Sequence, residues 1–207
     1  MTAAAGQARI ILATRNPAKL AELWRILGAA EVGVTVDDLD DLPDLPEVAE
    51  TGRTFRDNAL LKARAVAAFT GLPAVADDSG LCVDALNGMP GVLSARWSGR
   101  HGDDAANLQL LLGQLADVPA ERRQAHFTCV AALVLPSGGE HVAEGSVHGR
   151  LADAPHGSNG FGYDPIFVPD GHQQTTAELS PAEKDKISHR GRALRALAPV
   201  IAALLGG

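Results

Sequence analysis

Two unusually long strand-like segments, His126 to Leu135 and Glu140 to Arg150, flank Pro136-Ser137-Gly138-Gly139, and no other feature narrows the possible folds as much. Strands this close in sequence pair as an antiparallel hairpin, because a parallel partner needs a crossover of a dozen residues or more. Upstream the pattern changes. Arg9 to Thr14 is a short β-rich run that passes into Asn16-Pro17, a good N-cap followed by the residue best suited to the first helical position. Leu20, Leu23, Trp24 and Leu27 then recur at helical spacing. A strand around Val32 to Val36 leads into an acidic, proline-containing loop that ends at Glu50. Thr54 and Asp57 have the spacing of a capping box, opening a helix that turns Phe55, Ala59, Ala63 and Val66 inward and stops at Gly71. Strands alternating with helices, followed by a hairpin, predict an α/β fold on a mixed sheet.

The rest of the chain fits that plan. Pro73 to Ala76 reads as a strand delivering Asp77 and Asp78, and Leu81 to Leu86 as a further apolar piece. Asp103 to Leu115 reads as a helix, and Ile166 to Val168 as a short strand after the glycine-rich loop His156 to Pro165. Ser188 caps a last helix with Leu194, Leu197, Ile201 and Leu204 on its inner side. At 207 residues and 46% hydrophobic content the chain suits one domain with a substantial core. Its net charge of -7 argues against a nucleic-acid partner, since gripping a phosphate backbone needs a basic face. The apolar runs fall short of the roughly 20 residues that span a bilayer, so no membrane partner is expected and the cytoplasm is the expected compartment. Cys82 and Cys129 lack disulfide or zinc spacing and read as reduced, buried thiols.

Four places carry possible chemistry. The turn Thr14-Arg15-Asn16-Pro17-Ala18-Lys19 sets a hydroxyl, an amide and an ammonium around a helix N-terminus, whose free N–H groups favour an anion such as phosphate. Lys19 in the first turn opposes the helix dipole unless an anion sits beside it. In Asp77-Asp78-Ser79-Gly80 two carboxylates meet a strand end, and one of them can offer oxygen to Mg²⁺. Strand alternation gives the two different tasks. Glu50 is the candidate second carboxylate, and Asn58 with Lys62, four apart on one helix face, is either a polar wall or plain surface. In the glycine-rich loop, Phe161 and Tyr163 flank Gly162 as flat faces for a base, with Asp164 as an acceptor. Lys184, Ser188, His189 and Arg190 gather donors at the start of the last helix.

In this order the segments ATRNPAK, ETGRTFRDNALLKA, AVADDSGLCVDALNGMPGVLSARWSG, GFGYDPIF and AELSPAEKDKISHRGRAL resemble the Ham1- or RdgB-type purine nucleoside triphosphate pyrophosphatases, the inosine triphosphatases. The resemblance covers nearly the whole chain. It implies an elongated mixed β-sheet with flanking helices forming two lobes around a central cleft. It implies hydrolysis of dITP, ITP and XTP between the α and β phosphates with Mg²⁺, usually by a homodimer. Carried onto this sequence, Thr14 to Lys19 hold the triphosphate, with Lys19 also catalytic. Asp78 is acid/base and metal ligand, and Ser79 contacts substrate. Phe161, Gly162, Tyr163 and Asp164 meet the base, as do Lys184, His189 and Arg190. Where relatives often have glycine after the first threonine this chain has Arg15, and where some carry an extra glutamate it has Ala49. The rival readings are a Maf-like pyrophosphatase for modified pyrimidine nucleotides and a nucleotide sensor without catalysis.

Overall fold

The computed structural model describes residues 8–39, 45–46 and 48–206, so part of the acidic loop before Glu50 lies outside the described residues. Among those residues the strands are β1 (Arg9–Leu12), β2 (Thr35–Asp37), β3 (Ala74–Val83), β4 (Met89–Pro90), β5 (Gln124–Val134), β6 (Glu140–Leu151) and β7 (Phe167–Pro169). The helices are α1 (Pro17–Ala29), α2 (Phe55–Thr70), α3 (Asp104–Gln114), α4 (Pro181–Ile187) and α5 (His189–Leu205). The sheet order is β2-β1-β3-β5-β6-β7, with β4 paired on β3. β1 runs parallel to β2 and β3, whereas β4 on β3 and β7 on β6 are antiparallel. The expected mixed α/β sheet is therefore present.

The chain divides into two compact units. The first holds residues up to Asp78, Val130–Glu144 and the end of the chain from Ala193; the second holds Ser79–Cys129 and Gly145–Arg192. In the first, α2 lays Ala59, Leu60, Ala63, Val66 and Ala67 against Ile11, Ala74 and Ala76 of the strands and Val130, Ala132 and Val134 of β5. Each fully buried leucine or valine there is worth about 1.5–3 kcal/mol. The capping box of α2 forms as its spacing predicts, with Thr54 Oγ1 accepting from Asp57 N at 3.1 Å and Asp57 Oδ2 accepting from Thr54 N at 3.1 Å. Gly71 closes the helix at φ 68°, a left-handed value that a side chain resists. In the second unit, Leu108 and Leu111 of α3 pack with Leu81, Val83, Phe127, Val147, Ile166 and Phe167.

Several expectations need correction. Trp24 is 45% exposed, and Leu23, Ile26 and Leu27 form the buried side of α1 instead. The second strand begins only at Thr35. The strand expected to stop before Asp77 continues without a break to Val83, so Asp77, Asp78 and Ser79 lie inside β3. A short helix not expected from the sequence precedes the last one: α4 starts from Ser180, which forms a capping box with Glu183, and ends at Ser188, whose extended backbone separates it from α5. Ser188 Oγ then accepts from Gly191 N at 3.0 Å, capping α5 as expected. Cys129 is buried and Cys82 half-buried, without a disulfide.

Candidate active site

The first unit builds a cluster of opposite charges around the end of its share of β3. Asn58 is wholly buried on α2; its Oδ1 accepts from Gly52 N at 2.7 Å and its Nδ2 donates to Asp78 Oδ2 at 3.0 Å. One turn on, Lys62 Nζ donates to Glu50 Oε1 at 2.8 Å and to Asp78 Oδ1 at 3.3 Å. Asn58 and Lys62 are thus a working wall of the cluster, with Gly52 wedged against it: a Cβ there would lie 2.5 Å from Asn58 Oδ1. Asp77, the preceding residue of β3, points elsewhere, its Oδ2 standing 3.2 Å from Lys19 Nζ of α1. Alternation along the strand explains why adjacent carboxylates meet lysines from two different helices.

Burial sets the electrostatics. It pushes the Asp78 carboxyl above the usual aspartate range; Lys62 pulls it back and the charge of Glu50 pushes it further up. Burial also presses the Lys62 ammonium down, but the charges of Asp78, Asp77 and Glu50 outweigh it and leave the pKa raised. Lys62 is a cation held between two carboxylates. Among the described residues no group of three or more His, Cys, Asp or Glu is gathered for a metal. Asp78 and Glu50 sharing one cation still fits Mg²⁺, which takes one or two carboxylates and fills its octahedron with water and substrate phosphate.

The turn before α1 is less open than its sequence suggests. Asn16 Oδ1 accepts from Ala18 N at 3.0 Å and Lys19 N at 3.1 Å, so two N–H groups expected to be available to an anion already serve the cap. Thr14 Oγ1 accepts from Asn16 N at 3.2 Å, and Arg15 reaches back to the carbonyl of Leu45 at 3.0 Å. Pro17 and Ala18 are exposed. The anion that offsets Lys19 against the helix dipole is Asp77.

The second unit builds a basic, aromatic cluster. Arg190 is 1% exposed, a guanidinium sunk in the protein, and donates to Ser79 Oγ at 2.9 Å. Its charge lies 5.6 Å from the centroid of the Phe161 ring, and Lys184 Nζ lies 4.8 Å from the same centroid. Lys184 also donates to Asp164 Oδ2 at 2.6 Å. His189 stacks on Phe127 of β5 with centroids 4.8 Å apart and planes within 10°. The loop itself is tied down: Phe161 N donates to Asp164 Oδ2 and Gly162 N to Asp104 Oδ2, both at 2.8 Å. Gly162 has φ 63°, which suits glycine.

Two residues read as base contacts are turned inward. Tyr163 is 4% exposed within the core, its hydroxyl donating to the carbonyl of Ser94 at 2.9 Å, and burial followed by the charge of Asp104 pushes its pKa up. Asp164 is likewise buried, one oxygen accepting from Thr176 and the other from Phe161 N and Lys184. The Phe161 ring stays half-buried beside Lys184 and Arg190, with its N–H held by Asp164. Asp104 escaped the sequence reading because its one signal, an acid in the first turn of α3, is equally ordinary dipole compensation.

A model of the Ham1 family matches residues 10–200. The chain belongs to the Ham1 family. Among Ham1 relatives, a dITP/XTP pyrophosphatase of Streptomyces coelicolor is 60% identical over 96% of this chain and 99% of its own length. One of Nocardia farcinica is 63% identical over 95% of this chain and 96% of its own. The Ham1 fold is also that of solved structures. The crystal structure of a nucleoside-triphosphatase/dITP/XTP pyrophosphatase from Mycobacterium abscessus is 63% identical with a TM-score of 0.75, covering 92% of this chain and 99% of that one. A HAM1 protein from Coxiella burnetii, 43% identical, reaches 0.85 over 95% of this chain and 100% of its own.

Proposed function

We propose that this Ham1 protein hydrolyses non-standard purine nucleoside triphosphates, dITP, ITP and XTP, to the monophosphate and pyrophosphate. The observation that carries the reading is its likeness, above 60% identity and nearly end to end, to a protein named for dITP and XTP. The two clusters support it with suitable chemistry. In the first, Asp78 is the catalytic base: it takes a proton from water as the water oxygen bonds to the α-phosphorus, and the bond from that phosphorus to the bridging oxygen breaks. A carboxyl raised by burial is better matched to proton transfer near neutral pH than an ordinary aspartate. Lys19, steadied by Asp77, and Lys62 offset charge on the departing pyrophosphate. Thr14, Arg15 and Asn16 line the turn that receives the phosphates, with Pro17 and Ala18 forming its exposed rim. Asp78 and Glu50 would hold Mg²⁺, which when bound neutralises phosphate charge as a Lewis acid.

In the second cluster, Phe161 carries the base while Ser79, Lys184, His189 and Arg190 supply donors. Hypoxanthine and xanthine present an oxygen at position 6, where adenine presents an amino donor. Adenine therefore leaves a buried donor unpaired, at about 1–3 kcal/mol each, and a thousandfold preference, about 4 kcal/mol, needs two or three such mismatches. We further propose a homodimer working in the cytoplasm. Among the described residues no helix is long and apolar enough to cross a membrane.

The test is pyrophosphate release on mixing the protein with Mg²⁺ and dITP, XTP, ATP, or modified pyrimidine triphosphates. Release from dITP and XTP, with deoxyinosine and xanthosine monophosphate as the other products, and little from ATP is expected. Equal turnover of ATP and dITP would refute the base selection, preference for the pyrimidines would favour the Maf-like reading, and tight binding without release would leave a sensor.

A further inference from the structure

A second group of ligating side chains stands apart from both clusters. His126 of β5 and His148 of β6 face each other with ring centroids 5.2 Å apart and planes tilted by 31°. Their pairing is fixed by the neighbouring rung, where Thr128 Oγ1 and Ser146 Oγ lie 3.0 Å apart, so that 126 comes opposite 148 on the same face of the ladder. His126 is half-buried between the buried Ala125 and Phe127, and His148 is exposed, so the pair opens to solvent.

We propose that His126 and His148 form a two-imidazole site for a first-row transition cation of the Zn²⁺, Ni²⁺ or Cu²⁺ class. With metal–nitrogen bonds of about 2.0–2.1 Å at a tetrahedral angle, the two nitrogens lie roughly 3.3 Å apart, which lets splayed rings sit with centroids up to about 5.5 Å apart. The observed 5.2 Å lies inside that limit. Imidazole selects these ions over Mg²⁺, which prefers oxygen, so this is a different site from the carboxylate pair Asp78 and Glu50. Around it, Arg150, two residues along β6, opposes a cation, whereas Asp170, whose N donates to the His148 carbonyl at 3.0 Å, brings a carboxylate to the next strand. The Arg192 guanidinium is turned to the Ser146 carbonyl at 2.6 Å. Water completes the coordination, since no third ligand is gathered among the described residues. An ion here clips β5 to β6 on the face opposite Phe127, the ring on which His189 stacks.

Untagged, chelator-stripped protein is titrated with Zn²⁺ in excess Mg²⁺ by calorimetry, alongside His126→Gln, His148→Gln and the double variant Glu50→Gln, Asp78→Asn. About one equivalent bound by the wild type and by the carboxylate variant, and lost from both histidine variants, supports the site. Retention of that equivalent in His126→Gln and His148→Gln would overturn it, as would its loss in the carboxylate variant or a wild type that binds none. Circular dichroism and turnover with Mg²⁺ establish that the histidine variants remain folded.

Discussion

At the scale of single residues, the decisive group is Asp78, and its chemistry and stability pull against each other. Because its folded pKa lies above the unfolded value, the native state binds more protons than the unfolded chain between those two pH values. Stability contributed by this group therefore falls as pH rises through that window, and the deficit persists at neutral pH. The upward shift already includes the attraction of Lys62. Asp78→Asn is thus expected to raise the melting temperature at pH 7 while lowering kcat by about 10²–10⁴-fold, the usual worth of a general base. Calorimetry and pyrophosphate release on one preparation check both. A variant that is inactive and less stable would contradict the account.

At the scale of elements, the proposed catalytic cluster hangs from α2 and the basic one from a loop pinned at two points. Gly52→Ala forces a methyl onto Asn58 and should cost about 1–3 kcal/mol of stability, read from urea unfolding, together with a fall in kcat as Asp78 loses its Nδ2 partner. Asp104→Ala frees the amide of Gly162 at the far side of the Phe161 loop. A lost hydrogen bond of about 1 kcal/mol predicts a roughly fivefold rise in KM for dITP with kcat nearly unchanged; a fall in kcat alone would deny Asp104 its positioning role. The elements themselves were largely readable. Asn16-Pro17, the Thr54 capping box and Gly71 announce helix ends through local hydrogen bonds and φ values, which depend on few neighbours. The unbroken β3 was hidden because two aspartates and a glycine look like a turn; only partners on other elements, Lys19, Lys62 and Asn58, make those carboxylates tolerable inside a strand. The inward turn of Tyr163 and Asp164 was hidden for a related reason. Their residue types suit ligand binding, and nothing local reveals that Ser94 and Thr176 wait for them inside the fold.

At the scale of the whole molecule, charge and metal set the expectations. Treatment with a chelator should stop pyrophosphate release and Mg²⁺ restore it, while far-UV circular dichroism stays unchanged, because two lysines already offset most of the charge of the three carboxylates in the first cluster. A chelator-dependent loss of helical signal would mean that the cation is structural.

The neighbouring carboxylates of β3 carry a last consequence. Residues side by side in sequence look like spares for one another, yet the pleat sends Asp77 to a lysine of α1 and Asp78 to a lysine of α2. Neither can substitute for its neighbour, and shifting the pair by one position would exchange their tasks. Tandem identity along a strand is a division of labour, with no redundancy in it.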